Sequence, residues 1–220
     1  MRSKVKRQYS SALRQNQARA TRAAVVSAAR QCFIRHGYAA TTLDEIAEAA
    51  GVSRATVFNA VGGKAALLKA AYDVAIVGDD APVALVRRAR SQEILGLPDP
   101  GRMLAAYAEV AAEINSRVAE LHVVLRGAAA ADPEARKLWE VLQEQRRVGA
   151  DNLTRPIVER GRLKPGIDAR EAADLIWILN DPGIYHTLVM ERGWSSNSYQ
   201  VWLAGALQSQ LLPAGQRPPT

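Results

Sequence analysis

The fold is decided by Thr41–Leu68, "TTLDEIAEAAGVSRATVFNAVGGKAALL". Thr42-Leu43-Asp44-Glu45 has the form of a capping box. In it the Thr42 hydroxyl accepts from the Glu45 backbone N–H and the Glu45 side chain returns to the Thr42 N–H, which fixes a helix start. Ile46, Ala47 and Ala50 give this short helix, over 42–50, one apolar face. Gly51 supplies the positive φ that ends it, Val52 plugs the core, and Ser53 caps a second helix over 53–60. Two short helices around such a turn are a helix-turn-helix pattern. In the second helix Val57 and Val61 lie on one side, which leaves Arg54, Ala55, Thr56, Phe58 and Asn59 for the N-terminal and outward surface. Two helices of an ordinary bundle would explain the caps but not an outward Phe58 among small polar groups.

Gly62-Gly63 closes the second helix, and Lys64 stands in the first turn of the next, where the helix dipole repels it. Unpaired N–H groups at that helix start attract a phosphate, and a lysine there adds to the attraction, so the local misfit points to a phosphate clamp. A nucleotide-binding loop is excluded, because it needs glycine where Phe58 stands and Ser or Thr where Ala65 stands.

The charge is uneven in a way that fits this reading. Residues 1–72 carry twelve Lys and Arg against Asp44, Glu45 and Glu48, a net +9, whereas the other 148 carry 17 basic and 19 acidic residues, a net −2. An anionic partner for the first third alone is implied, with nucleic acid and an acidic membrane surface as the candidates. No apolar run approaches the roughly 20 residues of a membrane span, and the start lacks a secretory pattern. The expected compartment is therefore the cytoplasm, which the single cysteine, Cys32, agrees with.

Ala, Leu, Arg and Glu dominate and strand-like alternation is absent, so the fold class is all-α. Besides the helices above, the pattern predicts helices over 18–36, ended by Gly37, over 64–77, and weakly over 82–95, with a break at 96–101. A long amphipathic helix follows along Met103, Leu104, Tyr107, Val110, Ala111, Ile114, Val118, Leu121 and Leu125. Later helices are predicted over 133–160, 168–192 and 196–211, with Pro182 kinking the second of these beside Asn180 and Asp181. Residues 1–17 read as a flexible basic arm and 213–220 as a disordered tail.

An enzyme is disfavoured. Cys32 and His36 are four apart on one helix, but that helix buries Val25, Ala28 and Phe33, where a cysteine serves as a small hydrophobe. The three histidines, His36, His122 and His186, form no ligand pair, so no catalytic metal and no cofactor is expected. A helical DNA-packaging protein is the remaining alternative, marked by sequence-independent binding without an effector.

From about residue 20 to 72 the chain resembles the N-terminal DNA-binding domain of the TetR family of bacterial transcriptional regulators. The resemblance rests on the order Thr42, Ile46, Ala47, Ala50-Gly51-Val52-Ser53, Thr56, Phe58, Lys64, Leu67-Leu68. It implies a DNA-binding domain over 18–63 and a helical effector-binding and dimerisation domain over 64–212. It further implies a homodimer whose last two long helices pair with the partner's as a four-helix bundle. Such a protein is expected to be a repressor, released from a palindromic operator in double-stranded DNA when a small, largely apolar molecule binds the body. The DNA-contacting residues would be Thr42, Ser53, Arg54, Ala55, Thr56, Phe58, Asn59 and Lys64, with Arg54 and Thr56 nearest the bases and Thr42 and Lys64 on phosphates. Where the family commonly has Tyr-Tyr-His-Phe, this chain has Phe58-Asn59-Ala60-Val61, so Ala60 cannot supply the usual polar contact.

In the body, Met103, Tyr107, His122, Arg126, Trp139, Trp177, Asn180 and Tyr185 put aromatic bulk and isolated polar groups on apolar helices, and as a set they suggest a cavity lining. For each one singly, core packing is the commoner role. Leu175, Leu179, Leu188, Tyr199, Trp202, Leu203, Ala206 and Leu207 form apolar stripes that suggest the dimer interface.

Overall fold

The structure, a computed structural model, describes residues 2–78, 85–160 and 162–214, with the side chains of 2–13 and Val86 excepted. Every regular element among them is helical. The first third holds α1 (Arg2–Ala40), which breaks at Gly37, at φ 75°, where the sequence predicts its end, then α2 (Leu43–Ala50), α3 (Arg54–Ala60) and α4 (Lys64–Val77). A 3₁₀ turn, Leu85–Arg87, leads to α5 (Ala89–Gly96), α6 (Pro100–Ala129), α7 (Pro133–Glu159) and α8 (Ala169–Leu179). The chain finishes with the short α9 (Pro182–Tyr185), a π-helical turn His186–Glu191 and α10 (Ser196–Leu211).

Asp-Pro recurs at 99–100, 132–133 and 181–182, and each time it opens a helix. The aspartate carboxylate accepts from first-turn N–H groups, Arg102 at 2.7 Å, Glu134 and Ala135 at 2.9 Å, and Gly183 at 2.7 Å, while proline takes the position whose N–H is spare. This corrects one expectation. The helix predicted over 168–192 with a kink at Pro182 is three elements, α8, α9 and the π-helical turn, because Asp181-Pro182 is a helix start and Asn180 ends α8 as its C-cap.

Two cores result. Phe33, Ile46, Val57, Leu67 and Leu68 centre the first, which Val118, Leu121 and Leu125 of α6 and Leu138 and Leu142 of α7 close from the body side. The second lies between α6, α8 and α10, around Met103, Leu104, Ile176, Tyr199, Leu203 and Leu207. α4 is thus held by both halves. Its C-terminus is tied to α6 by Arg117, whose guanidinium donates to the carbonyls of Ala75 at 2.8 Å and Ile76 at 3.1 Å.

Two further differences have physical causes. α1 runs back through residues 2–17, where the sequence predicts a flexible arm, since no proline or glycine interrupts helix formers there. Among the proposed interface residues, Tyr199, Leu203 and Leu207 are wholly buried inside one chain, because the stripe of α10 faces α6. They are not available to a partner, whereas Leu175, Leu179, Leu188, Trp202 and Ala206 remain half-buried or exposed, and Ile178 and Val201 stand 54% and 63% exposed. Of the predicted tail, 215–220 lie outside the described residues.

Candidate nucleic-acid interface and effector cavity

The helix-turn-helix is built as its sequence requires. Thr42 accepts from the Glu45 N–H at 3.2 Å while its own N–H donates to the Glu45 carboxylate at 2.8 Å. That hydrogen bond from the Thr42 backbone, with one from its hydroxyl, lowers the Glu45 pKa. α2 ends on Gly51 at φ 66°, and the Val52 N–H reaches back to the Ala47 carbonyl at 3.0 Å, closing the last turn. Ser53 then caps α3, its hydroxyl accepting from the Thr56 N–H at 3.1 Å and lying 2.8 Å from the Thr56 hydroxyl.

α3 is anchored by Val57, which is fully buried, and presents the rest of its surface outward. Ser53, Arg54, Ala55 and Asn59 are exposed, Thr56 is half-buried, and Phe58 is 59% exposed, an apolar ring standing in solvent. Arg54 rests on Asp44 of α2 at 3.0 Å, a pair exposed on both sides and therefore weak. Arg22 of α1 donates to the Ala60 carbonyl at 2.6 Å, which fixes the far end of α3. Ala60 itself has no polar side chain, so this end of α3 is held from behind.

Lys64 has partners that the sequence does not announce. Its ammonium donates to the Ala39 carbonyl at 3.2 Å, at the end of α1, and lies 4.6 Å from the centre of the Tyr38 ring. These contacts offset the repulsion of the α4 dipole. Tyr38 is itself buried, stacked on Phe33 with ring centres 5.8 Å apart. Burial, with the charges of Asp132 and Glu134 and a hydrogen bond to Asp132, pushes its phenol up to about 12. Asp132 also caps α7, so this one tyrosine joins the lysine at the start of α4 to the body. Gly63 gives α4 no side-chain cap, which leaves its first-turn N–H groups open to an anion.

Behind the helix-turn-helix a cavity of about 1250 Å³ runs between α1, α4, α6, α7 and α8. Its walls include Tyr72, Ile76, Tyr107, Val110, Ile114, Asn115, Val118, Arg146, Leu153, Ile176, Trp177 and Asn180. Of the residues suggested from sequence, Tyr107, Trp177 and Asn180 line it. The others do not. Met103 and Tyr185 are core, Tyr185 edge-on to Tyr199 at 4.8 Å, and Arg126 is exposed. His122 and Trp139 pack on each other at 4.9 Å, behind the wall.

A chain of polar contacts joins that wall to α4. Tyr72 of α4 meets His122 Nδ1 at 3.1 Å, and His122 Nε2 lies 3.4 Å from Asp181 Oδ1, a long and poorly aligned contact. Asp181 pairs with Arg146 at 2.9 Å, and Arg146 donates to the carbonyls of Trp177 at 2.7 Å and Asn180 at 3.2 Å. Burial opposes ionisation of Asp181, but His122, Arg146 and the Gly183 N–H outweigh it and hold the carboxyl down at about 2. Asn115 and Arg146, both central here, carry little signal in the sequence: Asn115 is one amide inside an apolar stripe, and Arg146 sits on a helix rich in charge.

The thiol–imidazole pair considered from sequence does not form: Cys32 is buried, with its pKa raised chiefly by that burial, while His36 is exposed. No cluster of metal-binding side chains occurs among the described residues, and no helix among them is long and apolar enough to cross a membrane.

Residues 25–71 match the family model for bacterial regulatory proteins of the tetR family. The chain is 26% identical over 174 residues, 77% of this chain and 79% of the relative, to YdeS, an uncharacterised HTH-type transcriptional regulator of Bacillus subtilis (strain 168). Its fold is similar to that of NalD, the secondary repressor of the MexAB-OprM multidrug efflux pump in Pseudomonas aeruginosa. There the TM-score is 0.68 at 22% identity, covering 90% of this chain and 99% of that one. It is also similar to SmeT in its triclosan complex, with a TM-score of 0.66 at 18% identity over 91% and 95% of the two chains.

Proposed function

We propose, on the premise that the chain belongs to the TetR family of bacterial transcriptional regulators, that it is a cytoplasmic repressor which binds a palindromic operator as a homodimer and leaves it when a small molecule enters the body. One observation carries the DNA-binding part. α3 is seated by a single buried valine and holds Arg54, Ala55, Thr56, Phe58 and Asn59 outward, at the end of a segment with net charge +9. Arg54 and Thr56 take the base edges, Ala55 touches a thymine methyl, and Ser53, Thr42 and the open start of α4 beside Lys64 take phosphates.

The effector part is supported by the cavity and by SmeT, a protein of similar fold solved with triclosan. The dimer is carried by the outer faces of α8 and α10, where Ile178 and Val201 are exposed with Leu175, Leu179 and Trp202 beside them. A Cβ added at Gly205, also on α10, meets nothing within 4 Å, so a second helix has room to approach there.

The test is selection of tight-binding duplexes from a random pool, followed by titration of Arg54→Ala on the selected sequence and on a scrambled one. Removing one bidentate base contact lowers specific affinity by about 1–3 kcal/mol and relaxes one base pair per half-site. Equal losses on both duplexes would remove Arg54 as a reader.

A further inference from the structure

Arg22 stands at once in the cavity wall and on the reading helix, which ties the cavity, taken as an effector site, to α3. Along α1 the wall is formed by Arg19, Arg22, Val26 and Arg30, which recur at three, four and four residues and so share one face. Arg22 donates to the Ala60 carbonyl at the end of α3, at 2.6 Å, and is otherwise exposed. Other charges of the wall are answered within the chain. Arg30 donates to the Arg117 carbonyl at 3.3 Å with Glu120 at 4.0 Å, Arg146 pairs with Asp181 at 2.9 Å, and Asp73 pairs with Lys69. Gln145 and Asn152, across the cavity on α7, are neutral. α1 contains no acidic residue, and among the described residues no carboxylate pairs with Arg19 or Arg22. These two cations, one turn apart, are what the wall has to spare.

A cleft with unpaired cations at one end and apolar walls beyond focuses positive potential on that end. An ammonium is repelled there, an alcohol gains no charge-assisted contact, and a carboxylate meets a planar fork that binds both its oxygens. We propose that the effector is an amphipathic carboxylate whose anionic group takes Arg22, with Arg19, away from the Ala60 carbonyl, while its apolar part lies against Val110, Ile114 and Ile176. A hydrogen bond to a carboxylate is about twice as strong as one to a neutral carbonyl, so the exchange runs towards the ligand. α3 then loses the contact that fixes its far end and keeps only the Val57 anchor, so its outward side chains no longer hold one register against the bases. The molecule in the cavity thereby loosens the reading helix directly, through α1.

Three probes of one size separate the possibilities in equilibrium dialysis against the full chain: 6-phenylhexanoate, 6-phenylhexan-1-ol and 6-phenylhexylammonium. The carboxylate is expected to bind about fivefold more tightly than the alcohol, as for two exposed ion pairs, and the ammonium no more tightly than the alcohol. Arg19→Gln with Arg22→Gln should bring carboxylate and alcohol within about twofold of each other, with the fold checked by circular dichroism. Arg19→Gln alone should cut the preference about twofold, and it keeps the test standing if the double variant does not fold. Hydrogen exchange read by mass spectrometry follows α3 itself. Saturating carboxylate should speed exchange of the amides of 57–61 about threefold in the wild type, and the alcohol should leave it unchanged. Equal binding of carboxylate and alcohol, tightest binding of the ammonium, or a carboxylate preference that survives the double variant overturns the inference and leaves the effector site intact. A carboxylate preference with unchanged exchange in α3 overturns the transfer of Arg22. If none of the three binds, the effector-site reading falls and the inference falls with it.

Discussion

Replacing Lys64 by alanine separates a brace from a clamp. In the free protein the ammonium holds the Ala39 carbonyl at 3.2 Å and lies 4.6 Å from the Tyr38 ring centre, in a half-buried setting. The hydrogen bond and the cation–π contact contribute about 0.5–1.5 kcal/mol and about 0.5–1 kcal/mol respectively. Removing a cation from the first turn of α4 returns about 0.3–1 kcal/mol. Lys64→Ala should therefore lower unfolding free energy by about 1 kcal/mol, read as a shift of the urea midpoint at unchanged slope. If the same ammonium also neutralises a phosphate, its removal flattens the salt dependence by about 0.9 in log–log slope for each subunit. Between 50 and 200 mM salt that is about 3.5-fold per subunit, or about twelvefold for a dimer, by which the mutant-to-wild-type ratio of Kd should shrink. Fluorescence anisotropy on operator and scrambled duplexes at the two salts reads it. A ratio that stays constant with salt, with the stability loss present, would refute the clamp and leave Lys64 as a brace between α1 and α4.

The polar chain behind α4 and the outer helices give further expectations. Tyr72→Phe removes the hydroxyl that meets His122 at 3.1 Å; it should cost about 1 kcal/mol in urea unfolding and weaken ligand-induced release while operator affinity stays unchanged. Asp181, held at about 2 in the folded chain, is depressed below its unfolded value near 3.9, so its contribution is complete above about pH 4 and fades as pH falls towards 2. That contribution is about 2 kcal/mol, and urea midpoints at pH 6 and pH 3 should differ less in Asp181→Asn than in wild type. Ile178→Glu with Val201→Glu should give folded monomers by sedimentation; a dimeric double variant would place the interface elsewhere.

The DNA-binding helices can be read in the sequence because their determinants are local. Thr42, Glu45, Gly51 and Ser53 each act within five residues, and the caps and the left-handed turn form where those residues stand. The dimer face is harder. The stripe of Tyr199, Leu203 and Leu207 records only that α10 has an apolar side, and periodicity does not distinguish α6 of the same chain from a helix of another. Pro182 reads as a kink unless its neighbour Asp181 is taken as a cap. The cavity is legible only in part, since Arg146 becomes a wall residue through contacts with Asp181 and two carbonyls more than 30 residues away. Lys64 looks unpartnered for the same reason, its acceptor lying 25 residues upstream at Ala39.

Sequence reading by α3 is measured by fragmenting the source genome, retaining what the protein binds at about 150 mM salt, near physiological ionic strength, and sequencing it. Enrichment of a few loci that share an inverted repeat is expected, with the preference at one base pair per half-site lost in Arg54→Ala. Retention spread evenly over the genome, with no shared repeat and no effect of Arg54→Ala, would contradict it and mark the chain as a sequence-independent DNA-binding protein.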